Sequence, residues 1–373
     1  MGEITRDTVI IGGGIAGLMC AFALSARGHR VTVIEANKIV GGVTKNTTAH
    51  IDALHAKYAK IPTRSKRKKY MAAQLDGVEG LADIIKAHNI DCDFVRVRSI
   101  TEKHSLENQA RFDAVKFLRG LPKDFEIIEN TRIKNVCLWR KLLYTDDLVI
   151  KARRIVIATN FPIVNIRGLY AFKMYKSTSY AVAIKTDERI GCLFNSIHQD
   201  GLTFRDTADG IIMGGLDHRT GRQRDAAPGI FRTGWNANDC ITFDGVPYAG
   251  RFKRFFSRDI YVVTGFNKFG MTNSWVGAQI IADLVDGNKN KYARLYKPTR
   301  ILNVLVWHKV LWNAIQDVGH IVAGLVLGHR CPHMLCRMQW NPSTKTWDCP
   351  CHGSRLDEDG EIITAPTVKR KKF

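Results

Sequence analysis

Acidic side chains are scarce in this chain: 35 stand against 56 basic ones in 373 residues, a formal net charge of +21. That shortage turns the surface toward anionic partners such as acidic proteins, carboxylate substrates, nucleic acid or anionic lipid. No secretory leader is expected either. Residues 1–7 are short and polar, and the apolar run after them is needed for a nucleotide fold, so the expected compartment is the cytoplasm. No clean transmembrane run is present either, because the most apolar late stretch, 311–327, is interrupted by Asn313, Gln316, Asp317 and His320. Internal repeats and low-complexity segments are absent. The two basic runs, Arg64-Ser65-Lys66-Arg67-Lys68-Lys69 and Lys369-Arg370-Lys371-Lys372, lack interleaved aromatics, which argues against nucleic acid or a membrane as the main partner. A chain of this length buries a large core and reads as two or three domains.

What is present begins with Thr8-Val9-Ile10-Ile11-Gly12-Gly13-Gly14-Ile15-Ala16-Gly17, a buried strand entering a glycine-rich turn and then a helix. Gly12 allows a tight turn, Gly14 lets the backbone approach a pyrophosphate, and Gly17 lets helix and strand pack closely. A second strand, 31–34, ends in Glu35, where a carboxylate accepts hydrogen bonds from an adenosine ribose. The pattern predicts a bound dinucleotide, with a purely steric turn as the alternative.

Farther along, residues 41–50 form a loop rich in backbone donors and small hydroxyls, suited to a polar cofactor laid along it. Residues 64–88 show helical spacing, 92–100 alternate as a strand, and 154–160 form an apolar run ending in small polar residues, as a central parallel strand does where it meets a ligand. Strands at 174–185 and 211–216 suggest a more antiparallel region inserted into the nucleotide fold. Residues 259–273 repeat the opening pattern of strand, glycine-rich loop and helix, and 301–327 read as helix.

Four of the nine cysteines crowd into the last fifty residues. Cys331-Pro332-His333 and Cys349-Pro350-Cys351-His352 make two compact loops joined by a strand-like link containing Trp340 and Trp347. This spacing departs from common zinc fingers and matches a Rieske centre, in which Cys331 and Cys349 hold one iron of a [2Fe–2S] cluster and His333 and His352 the other. Structural zinc on the same four residues is the alternative.

These stretches, with 109–121, Ala158-Thr159-Asn160-Phe161-Pro162, 235–239, Phe243-Asp244-Gly245-Val246-Pro247-Tyr248 and 264–273, resemble the FAD-dependent oxidoreductases of the D-amino-acid oxidase superfamily that carry a C-terminal Rieske domain. The resemblance implies an α/β and α+β fold: a glutathione-reductase-like FAD-binding Rossmann domain, an inserted mixed-sheet substrate domain, and a small truncated Rieske-like β module. It implies FAD-binding segments at 1–90, 126–165 and 241–298, substrate-domain segments at 91–125 and 166–240, and a helical link with the Rieske-like module at 299–373. Gly12, Gly14 and Gly17 would lie at the pyrophosphate and Glu35 at the ribose. Thr44, Asn46, Thr47 and Thr48 would lie along pyrophosphate and flavin, Ile133 would face the adenine, and Gly270, Met271 and Thr272 would offer backbone groups to the isoalloxazine ring. Cys336 and Cys351 sit where high-potential Rieske proteins carry a loop-bridging disulfide. The chain departs from the family by shortening at 100–109 and 224–235 and by lacking most strands ahead of the first ligand loop.

The implied activity is a dehydrogenase that takes hydride from a small amine, amino acid or hydroxy acid and passes electrons through the cluster. Lys268 would stabilise negative charge on reduced flavin, and His50 would reach substrate or ring. The rival is an electron-transfer module between protein partners without its own metabolite. In both readings an acidic redox protein is the expected macromolecular partner.

Overall fold

The computed structural model describes residues 2–54, 61–198, 201–222, 229–252 and 258–371. Lys372 of the basic tail and the start of the shortened 224–235 segment lie outside the described residues.

A largely parallel sheet forms the first layer, in the order Tyr248–Arg251, Ile260–Thr264, Leu148–Ile157, Gly2–Ile11, Val31–Ile34, Glu126–Ile128. Gly2–Ile11 pairs in parallel with Val31–Ile34 on one side and Leu148–Ile157 on the other, so the glycine turn leaves from the middle of the sheet. The strand expected at 154–160 begins earlier and ends at Ile157, because Leu148–Ile157 pairs along nearly its whole length with Gly2–Ile11. Helices Ile15–Ser25, Arg64–Ala87 and Gly270–Val285 cover one face. Arg64–Ala87 starts where Thr63 accepts a hydrogen bond from Lys66 N at 3.3 Å, and it buries Tyr70, Ala73, Val78, Leu81, Ile84 and Ile85 at three- and four-residue spacing. Its basic first turn stays in solvent.

The second sheet has eight mostly antiparallel strands, ordered Trp235–Thr242, Met174–Lys185, Gly210–Arg219, Thr203–Thr207, Cys192–Asn195, Val95–Ile100, Ser105–Arg111, His50–Ile51. His50–Ile51 joins this sheet through Arg111 and Ala110, so the first ninety residues serve both layers. Strands such as Ser105–Arg111, with only its last residues buried, carry too little alternation to be legible in sequence.

After the helix Val304–Leu327 comes a four-stranded antiparallel meander, Gln339–Asn341, Thr346–Asp348, Arg355–Leu356, Ile362–Thr364. Ahead of the first Cys/His loop, the described residues of this module contain no strand, and the isolated bridge Arg330 to Arg337 closes the loop itself. It is as abbreviated as the sequence suggested.

Candidate active site and cluster-binding loops

A cavity of about 350 Å³ runs from the glycine turn across the seam of the two large sheets. Gly12 sits at φ +111°, where an added Cβ would stand 2.6 Å from the Ala158 carbonyl oxygen, and a Cβ on Gly17 would collide with the Gly12 carbonyl. Only glycine lets the helix close onto the turn. Glu35 accepts from Gly13 N at 2.7 Å and Asn37 N at 2.9 Å, which fixes its carboxylate at the cavity wall. Thr44 Oγ1 accepts from Ile15 N at 3.0 Å, tying the loop to the helix start.

The turn, Glu35, Thr44, Asn46, Thr47, Thr48, Ile133, Gly270 and Met271 line one continuous surface, and His50 and Lys268 join them. Gly17 and Thr272 stand behind it, Thr272 donating to Gln74 Oε1 at 2.6 Å. Lys268 forms a mostly buried ion pair with Asp217 at 2.5 Å. Its loop holds Gly265, Asn267 and Lys268 at φ +73°, +54° and +75°, a concentration of left-handed backbone common at ligand clamps. Burial and the nearby Arg205 charge push the His50 imidazole down to about 3, so it is neutral, and its Nε2 has no hydrogen-bond partner among the described residues.

The second site is built from two matched loops. Cys331 N donates to Cys336 O and Cys349 N to Ser354 O, at 2.8 and 2.9 Å, and Cys336 and Cys351 join the loops by a disulfide across fifteen positions. With those two sulfurs consumed, Cys331 and Cys349 are the thiols left. A hydrogen bond with Cys349, outweighing burial, and the backbone N–H groups of His333 and Met334 draw the Cys331 thiol below its ordinary value. The His333 and His352 rings lie 5.2 Å apart, centroid to centroid. Burial lowers His333 to about 4, and burial with the neighbouring His333 lowers His352 to about 3, so both are neutral ligand forms. Each has a buried Nδ1 without a partner among the described residues. Their other nitrogens are turned outward: His333 Nε2 lies 3.1 Å from Asn165 Oδ1, and His352 Nε2 lies 3.8 Å from Asp317 Oδ2. Two thiols and two open imidazole nitrogens at one end of a small sheet fit a two-sulfur, two-nitrogen iron centre.

Comparison with known proteins agrees. Residues 7–122 match the FAD dependent oxidoreductase family DAO, and residues 297–373 match the Rieske [2Fe-2S] domain. This chain joins a DAO-type FAD domain to a Rieske domain. It is 28% identical to the Bacillus subtilis (strain 168) protein YhfW, whose name includes the words Rieske 2Fe-2S iron-sulfur protein, with 98% of this chain and 92% of that one covered. The alignment spans 474 positions, so the relative has segments that this 373-residue chain lacks. The fold is similar to glycine oxidase from Geobacillus kaustophilus (TM-score 0.67, 15% identity, 80% of this chain and 100% of that one). It is also similar to L-proline dehydrogenase from P. horikoshii (TM-score 0.66, 18% identity, 80% and 98%). The protein is thus an FAD-dependent oxidoreductase that also takes a [2Fe–2S] cluster.

The Rieske domain is pinned to the second sheet beside the cavity. Arg355, 4% exposed, bonds Asp348, Thr344 and Thr346 within its own domain and Asn236 and Asn238 Oδ1 across the boundary, at 2.6–2.9 Å. Arg219 donates to the Pro350 and Cys351 carbonyls, both at 3.1 Å. Lys176, fully buried and drawn down to about 8 by that burial, donates to Ala365 O at 2.6 Å while lining the cavity. Residues of the Rieske domain, Ile363 to Ala365 among them, complete the cavity wall.

Sequence reasoning missed Lys176, Asp217, Asn195 and Tyr180, which the second sheet delivers to the cavity from strands distant in sequence. A lysine inside the apolar strand Met174–Lys185 was the one available signal. It also missed Asn165 and Phe161, which meet the imidazoles: the Phe161 ring lies 5.8 Å from that of His352, edge on.

Proposed function

We propose that the protein is a dehydrogenase that oxidises a small amine, amino acid or hydroxy acid at a C–H bond beside nitrogen or oxygen, with the electrons leaving through the Rieske centre of the same chain. Bound FAD supplies a two-electron hydride acceptor and the [2Fe–2S] cluster a one-electron relay. The observation that carries the reading is the segment 159–165. Thr159, Asn160 and Ile163 line the cavity, while Phe161 and Asn165 touch the two imidazoles.

In this reading the Gly12 and Gly14 turn approaches the pyrophosphate, Gly17 permits that turn from behind, Glu35 accepts from the ribose and Ile133 packs on the adenine. Thr44, Asn46, Thr47 and Thr48 run along the phosphates and flavin, and the main chain at Gly270, Met271 and Thr272 meets the ring. Cys331 and Cys349 bind as thiolates, and His333 and His352 through Nδ1. Lys268, oriented by Asp217, faces developing negative charge with its remaining N–H donors. His50 offers its open Nε2 to a polar group of the substrate. Residues of the Rieske domain shut one side of the cavity against water. Substrate class draws support from fold neighbours that are a glycine oxidase, an L-proline dehydrogenase and an L-amino acid deaminase. The net charge of +21 supports an acidic redox protein as acceptor, in the cytoplasm.

The test is an anaerobic visible spectrum of the holoprotein, recorded before and after adding glycine, proline, N-methylated amines and hydroxy acids. Flavin bleaching by one of them is the expected result. If none bleaches the flavin while a reduced acidic carrier protein does, the chain is an electron-transfer module instead.

A further inference from the structure

The helix Val304–Leu327 has its polarity reversed for a helix packed on a protein body. Asn313, Gln316, Asp317 and His320, which interrupt its apolar composition, all turn inward. Asn313 Nδ2 donates to Asp317 Oδ2 at 2.8 Å, Arg219 reaches Asp317 at 3.5 Å, Arg222 donates to Gln316, and the half-buried His320 feels the charges of Arg222 and Arg219. Val306 and Gly324 complete this stripe, and a side chain on Gly324 would collide with the Leu335 carbonyl. The opposite face carries Trp307, Leu311, Trp312, Ile315, Val318 and Val322 in solvent, each at least half exposed. Only 22% of the helix's most apolar window is buried. Among the described residues of that face, His308 is the one polar side chain.

Cations rim the face. Lys309 lies near its start; at its end, Arg330 bonds the Gly324 and Leu325 carbonyls at 3.0 Å, and Lys371 Nζ bonds the Arg330 carbonyl at 2.7 Å. The exposed apolar arc covers roughly 160° of the helix, wider than the stripe of about 100° with which a helix meets a protein core. A second copy of a chain carrying +21 would bring like charge against like. A broad apolar face with tryptophans on it and cations beside it suits an anionic lipid surface.

We infer that this face is an interfacial membrane anchor, lying in the plane of an anionic bilayer without crossing it. Asn313, Asp317 and Gly324 hold the inner side to the body, which keeps the helix from spanning. Asp317 on that inner side lies 3.8 Å from His352, so the lipid would begin about one helix diameter, roughly 10 Å, from the cluster loops. The inference does not depend on which substrate reduces the flavin.

The test floats detergent-free holoprotein with phosphatidylcholine–phosphatidylglycerol vesicles and with phosphatidylcholine alone. Binding to the mixed vesicles is expected, at least about tenfold weaker to phosphatidylcholine alone. Brominated acyl chains should quench tryptophan emission. The pair Leu311→Glu and Val318→Glu should cut flotation by about a hundredfold with flavin and cluster absorbance unchanged. Three results would overturn the inference: no flotation on either vesicle, undiminished flotation of the double variant, or a dimer that the double variant dissolves without any lipid binding.

Discussion

Arg355→Met tests whether one buried guanidinium both builds the Rieske domain and fixes it beside the flavin cavity. The substitution removes five hydrogen bonds and leaves Asp348, 2% exposed, as a carboxylate without its cation. Breaking a buried pair by removing one partner costs about 3–5 kcal/mol. The second sheet loses much less, since Asn238 keeps its bond to Thr178 at 2.7 Å. With a urea slope of about 1–3 kcal/mol per molar, the cluster midpoint should fall by at least roughly 1 M. The assay follows urea unfolding by cluster absorbance and flavin fluorescence together. Native protein should show transitions close together, and the variant should lose the cluster first. Asp348→Asn added to the variant should recover part of the loss, because it removes the stranded charge. If the cluster midpoint of Arg355→Met moved by less than about 0.5 kcal/mol equivalent, the strut assigned to Arg355 would be wrong.

Other expectations follow from single contacts. Burial alone would raise the Asp244 carboxyl, but the Arg300 charge, with bonds at 2.7 Å to both carboxylate oxygens, holds it below the usual range. Its stabilisation is therefore complete above the unfolded value of about 3.9 and lost as pH falls through the lower folded value; Asp244→Asn should cost about 3–5 kcal/mol at neutral pH and remove that acid-sensitive component from a pH series of melts. Gly17→Ala, which forces a methyl into the Gly12 carbonyl, should leave protein purified with less than about a tenth of the native FAD, measured by absorbance after denaturation. Cys336→Ser opens a loop of fifteen positions and should lower Rieske-domain stability by roughly 3 kcal/mol, read as earlier bleaching of the cluster on heating.

The parts legible in sequence are those whose chemistry is local. The glycine turn needs a strand before it and a helix after it, and both lie within twenty residues. The Cys331 to His352 box is two loops only fifteen positions apart. The cavity's other half was not legible, because Lys176 meets Cys240 only through strand register and Asp217 meets Lys268 across a loop fifty residues later in the chain. Neither pairing leaves a mark on composition or period. The segment that joins the two sites resembles flavin loops at 158–162, yet nothing in Phe161 or Asn165 announces an imidazole partner. Helix 304–327 teaches a different lesson. Counting its polar residues argues only against a crossing helix; their phase adds that 313, 316, 317 and 320 share one side, and the structure turns that side inward.

On the proposed reading, cavity and cluster loops form one electron path inside one molecule. Anaerobic stopped-flow mixing of the holoprotein with a donor that bleaches its flavin, followed at flavin and cluster wavelengths over a tenfold range of protein concentration, tests it directly. Cluster reduction is expected in the same mixing experiment, at a rate independent of protein concentration. Bleached flavin beside an oxidised cluster, or a cluster rate proportional to protein concentration, would contradict it.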